Sequence, residues 1–147
     1  MNFQDLESRR LRTQADFYVK TAKAIPEDKT DWKPADTAMS ALEMTRHCID
    51  TNTQLCQALG GEAPDHDPHA ASSLAEVIDL FEQSCQHMSD VIASVPDEKL
   101  NEEIPAFGGS MPLTQIMSIP STHIGYHWGQ LAYLQRIWGD TEDHFMG

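Results

Sequence analysis

The chain is short of positive charge: ten Lys and Arg stand against 23 Asp and Glu, a formal net charge of −13. Apart from the short SRRLR near the start there is no basic stripe, so neither a nucleic-acid backbone nor an anionic membrane surface is an expected partner. Cysteine is scarce and odd in number. Cys48, Cys56 and Cys85 each fall inside an apolar helical pattern, which predicts small core side chains rather than redox chemistry. No uninterrupted apolar run approaches the length of a membrane-spanning helix, and MNFQDLESRRLR at the start lacks the apolar stretch of a secretory signal. The expectation is a soluble, cytoplasmic protein. Convincing strand alternation, internal repeats and low-complexity tracts are also missing.

What is present is ordinary globular material. With 147 residues, 40% of them hydrophobic, the chain is long enough for a single domain, 1–147, to bury its own core without disulfides. Four segments have helical spacing. In the first, Leu11, Ala15, Tyr18, Ala22 and Ile25 share one face before Pro26. The second starts near Asp36 or Thr37, both suitable N-caps, and runs to Gly60-Gly61. Its apolar and small positions cover roughly 160° of a helical wheel, enough to touch more than one neighbour.

Ser73 with Glu76 forms a capping-box signature for the third helix, whose stripe of Leu74, Ile78, Phe81, Cys85, Met88, Ile92 and Val95 alternates by fours and threes up to Pro96. Pro112 suits the first turn of a fourth helix that should end at Gly139. Pro120 lies within it and is expected to kink or interrupt it. The implied architecture is all-α, a four-helix bundle. Connectors of a dozen or more residues, at about 3.3 Å each, could cross the length of such helices, so spacing leaves the topology open.

The fourth helix contains THIGYHWGQL. With His123 at zero on a wheel, His127 lies about 40° away, and Ile116, Ile119, Leu131, Leu134, Ile137 and Trp138 spread on both sides. Ser121, Gly125, Gly129, Ala132 and Arg136 take the opposite side, so both imidazoles should point into the bundle. A buried imidazole without partners leaves polar groups unsatisfied at about 1–3 kcal/mol each. A divalent metal offers a shared explanation, because His at i and i+4 aim two nitrogens at one point. His47, at the edge of the second helix's apolar arc, is the best third ligand. His66, His69, His87 and His144 read as loop, polar-face or tail residues. Ordinary core histidines satisfied by other polar groups remain the alternative.

The pattern H-x-x-x-H-x-G-Q-L from His123 through Leu131, with Arg136, Gly139 and a single His in the second helix, resembles the DinB/YfiT-like family. So does the upstream IPEDKTDWKPAD with Trp32 and Pro34. Trp128 stands where many members carry Arg, a departure from the pattern. The resemblance implies an up-down-down-up bundle, a homodimer, and a nickel, zinc or related divalent ion held by His47, His123 and His127. It further implies a thiol-dependent S-transferase or isomerase that takes a small-molecule substrate and a low-molecular-weight thiol.

Three nitrogen ligands leave coordination positions open, which suits activation of a thiol or a water. A metal-dependent hydrolase is one alternative, with Glu43 and Asp50 flanking His47 as possible proton acceptors, although both lie toward the polar arc. A non-catalytic, stress-associated metal-binding dimer is another. Gln130, near the histidine side, is a candidate to orient a ligand through a hydrogen bond.

Overall fold

In the computed structural model, which describes residues 1–147, the elements run α1 (Phe3–Lys23), α2 (Ala41–Ala58), α3 (Leu74–Ser94), β1 (Glu103–Ala106), β2 (Gly109–Pro112) and α4 (Leu113–Ile137). Reciprocal capping boxes start three of the helices: Asn2 with Asp5, Ser40 with Glu43, and Ser73 with Glu76. The second corrects the expected start at Asp36 or Thr37. Ser40 Oγ accepts from the Glu43 backbone N–H at 3.2 Å, and Glu43 Oε2 accepts from the Ser40 N–H at 2.9 Å. Two orphan donors are satisfied at once, which a lone Asp or Thr upstream does not achieve.

Pairings between helices fix the topology. The Gln4 amide donates to Val95 O at 2.9 Å and Lys23 pairs with Glu82 at 3.1 Å, so α1 runs antiparallel to α3. Gln14 packs against Gly125, and Trp128 Nε1 donates to Thr21 Oγ1 at 3.0 Å, so α1 and α4 run parallel. Asn52 donates to Ser84 Oγ at 2.9 Å, and Gly61 abuts Val91, which makes α2 parallel to α3. The bundle is therefore up-down-down-up, with α2 and α4 meeting along one seam. Across its middle, Tyr18 of α1 stacks on Phe81 of α3 with ring centroids 4.7 Å apart and shares a 2.9 Å hydrogen bond with Thr45 of α2. All three side chains are fully buried. Burying an aromatic of this size contributes about 1.5–3 kcal/mol relative to leaving it in water. Cys48, Cys56 and Cys85 are free thiols inside this core, as expected.

One expectation fails, and another fails in part. β1 and β2 form an antiparallel hairpin, with Ala106 opposite Gly109 and Glu103 opposite Pro112, where the sequence suggested no strand. Phe107 and Gly108 close it at φ 51° and 78°, the paired left-handed conformations of a type I′ turn. Each strand has only four residues and one carries an internal Pro, too little for alternation to register. Pro120 does not interrupt α4, which is continuous from Leu113 to Ile137. Its ring is buried, so packing compensates the lost backbone donor. No helix is long and apolar enough to cross a membrane.

Candidate metal centre

The buried face of α4 is rotated from the one the wheel suggested. Leu113, Ile116, Met117, Ile124, Leu131 and Leu134 form it, joined by Pro120, Ser121 and Gln135, while Ile137 is 47% exposed. By wheel arithmetic the centre of that face lies about 80° from His123. His127 is therefore buried and His123 sits at the rim, half-buried. Both lie on the side of α4 turned toward α2, which brings His47 to them across the seam.

The three rings converge through the same atom type. His123 Nε2 stands 3.0 Å from His47 Nε2 and 3.1 Å from His127 Nε2. Ring centroids are 4.5 to 4.9 Å apart, with the planes steeply inclined to one another. Gln130 sets the tautomer of one ring: its Oε1 accepts from His127 Nδ1 at 2.7 Å, so Nδ1 carries the proton and Nε2 presents a lone pair to the cluster. His123 Nδ1 is buried without a partner.

A single proton on His123 Nε2 could point at only one of its two neighbours, leaving the other contact short of a donor. A cation would satisfy all three. Nitrogens about 2.0–2.1 Å from one zinc ion stand roughly 2.9–3.4 Å apart at right-angle to tetrahedral geometry, a range that contains both observed separations. Burial, reinforced by repulsion from His127 and His47, pushes the His123 pKa down to about 4. Burial also lowers His127, partly opposed by Gln130. Neutral imidazole is the form a metal requires. The donor set and its spacing thus fit a divalent ion.

The remaining histidines stay apart from the cluster. His69 Nε2 meets Asp50 at 2.9 Å, His87 Nε2 meets Glu62 O at 2.8 Å, His144 Nε2 meets Asp140 at 2.7 Å, and His66 Nε2 is buried without a partner. Glu43 is tied to Ser40 and to Lys33 at 2.7 Å, and Asp50 to His69, so neither carboxylate is free beside the cluster. Trp128 packs on Phe17 and Phe145, binding α4 to α1 and to the C-terminal segment.

Sequence reasoning passed over Tyr126. Its ring centroid lies 5.0 Å from that of His127, at 80° to it. The same residue lines two cavities. The larger, about 700 Å³, includes His127 and Gln130; the smaller, about 480 Å³, includes His123. The available signal was its wheel position about 60° from His123, on the side away from the core.

A model of the DinB superfamily matches residues 10–131. The chain belongs to this superfamily. Among solved structures it is similar to a DinB-like protein, YjoA, from Bacillus subtilis, with a TM-score of 0.74 at 22% sequence identity, covering 93% of this chain and 94% of that one. At that identity the likeness speaks for the fold. No curated protein matches the chain. Within the DinB superfamily frame, the four-helix bundle and the cluster on the α2–α4 seam belong to one description: a DinB chain whose three histidines could hold a metal ion.

Proposed function

We propose that this DinB protein is a metal-dependent enzyme acting on small molecules with a low-molecular-weight thiol, as an S-transferase or isomerase. The observation that carries the reading is the meeting of three imidazole Nε2 atoms, 3.0 and 3.1 Å apart along the set, at a seam bordered by two cavities. His47, His123 and His127 would hold zinc or nickel. When bound, such an ion supplies the positive charge that keeps a thiol ionised near neutral pH. Three protein ligands leave room for an exogenous one, the pattern of catalytic rather than structural zinc.

The chain does the rest. Gln130 holds His127 in the tautomer that presents Nε2, and Tyr126 packs against the same ring. The cavities on either side of Tyr126 give two reactants separate approaches to the cluster. No carboxylate lines either cavity, which favours a thiol, able to bring its own nucleophile, over hydrolysis needing a nearby base. Homodimerisation, a cytoplasmic location and a single domain over 1–147 belong to the same proposal.

Cobalt-substituted protein titrated with cysteine tests it. The reading expects a saturable sulfur-to-cobalt charge-transfer band. Full cobalt occupancy with no such band at millimolar thiol would contradict the thiol chemistry.

A further inference from the structure

The larger cavity has a chemical character of its own. Met39, Met44, Tyr126, Gly129, Tyr133 and Leu134 form most of its wall, and none of its lining residues is Asp, Glu, Lys or Arg. In a chain with 33 such residues this is a pronounced gap. Its volume of about 700 Å³ falls within the roughly 300–1,000 Å³ of small-molecule sites. Apart from the ion that His127 would help to hold, the wall offers no counter-charge, so a charged group entering it would lose water at a cost that no lining side chain offsets. An apolar group would exchange water for thioether and ring surfaces, which suit flat aromatic faces.

Gly129 is the open side of this wall. It lies mid-helix, and a Cβ built on it meets no atom within 4 Å. Neither a turn nor a close backbone approach explains glycine there, and in a helix interior it is less stable than Ala by about 1 kcal/mol. What its missing side chain leaves is space two residues along the helix from His127 and one turn from both Tyr126 and Tyr133.

We propose that this cavity binds an uncharged, apolar group of aromatic size, the non-thiol reactant of the proposed reaction, and that Gly129 is the residue that keeps the cavity open to it. The role as a reactant rests on the enzymatic reading above. The binding itself does not need it.

The test uses zinc-loaded protein labelled with 13C at the methionine methyls, with Met39 and Met44 assigned through Met39→Leu and Met44→Leu. Toluene, benzenesulfonate and benzyltrimethylammonium serve as neutral, anionic and cationic probes of one size. Toluene should shift the Met39 and Met44 methyls saturably and bind at least about tenfold more tightly than either ion, a preference of roughly 1.4 kcal/mol or more. In Gly129→Phe that binding should weaken at least about tenfold while zinc content and helix content stay at wild-type values. Equal or tighter binding of a charged probe, unmoved methyls with toluene, or undiminished toluene binding in Gly129→Phe overturns the proposal. Wild-type protein that takes up no zinc sinks the metal reading instead, whatever toluene does.

Discussion

Gln130 Oε1 accepts a 2.7 Å hydrogen bond from His127 Nδ1, and through it an exposed amide decides which nitrogen of a buried ring faces the other two histidines. Partners of this kind orient metal-binding imidazoles and raise their basicity. Gln130→Ala is expected to weaken zinc binding by about 10–100-fold with helix content unchanged, and Gln130→Glu, which keeps an acceptor, to restore most of it. Competition titration with a chromophoric chelator measures both. Equal affinities for wild type and Gln130→Ala would remove the orienting role.

The hairpin tip offers an independent test of backbone physics. Phe107 holds φ at 51° with 72% of its surface exposed, so its ring returns little packing for an unfavourable conformation. Phe107→Asn places Asn-Gly in the turn, the favoured type I′ pair, and should raise stability by about 0.5–1 kcal/mol in urea unfolding with the slope unchanged. A loss of stability would show that the ring makes a contact the exposure hides.

The core thiols should be silent. Burial raises Cys56 to about 11 and Cys85 to about 12, and pushes Cys48 higher still. Thiolate, the reactive form, is therefore scarce in the folded chain at pH 8. Alkylation should be at trace level in native protein and reach three groups per chain in guanidinium.

The sign for stability follows from the same shifts. Between the ordinary value of 9.0 and the raised ones, the unfolded chain releases protons that the folded chain keeps, so stability falls as pH rises through about 9 to 12. Rapid alkylation of a native thiol at pH 8, or flat stability through that alkaline window, would contradict this.

How much of this was legible in the sequence depended on whether the signal was local. The α3 stripe and its Ser73–Glu76 box were readable because cap and periodicity lie within one segment and agree. Ser40 and Glu43 have the same spacing, but Asp36 and Thr37 offered competing caps upstream, and only the folded chain shows which residue donates and accepts reciprocally. Hydrophobicity does not give the phase of α4, because its buried face includes Pro120, Ser121 and Gln135, which count as polar, while apolar Ile137 is exposed.

The histidine pair was visible as an i, i+4 spacing, and the edge of a broad apolar arc pointed to His47. What spacing could not supply was the distance across the α2–α4 seam, a tertiary quantity. The cavities, Tyr126 between them and the open flank at Gly129 depend on the same packing and had no one-segment signature. The hairpin escaped because four-residue strands give periodicity too few repeats to register.

The most direct measurement is the metal content of untagged protein, compared with His47→Ala and His127→Ala. The account predicts close to one divalent ion per wild-type chain and loss of nearly all of it in each variant, with circular dichroism showing the helices retained. Both variants keeping the wild-type content would mean that the three rings meet for some reason other than an ion, and the proposed chemistry would fall with the site.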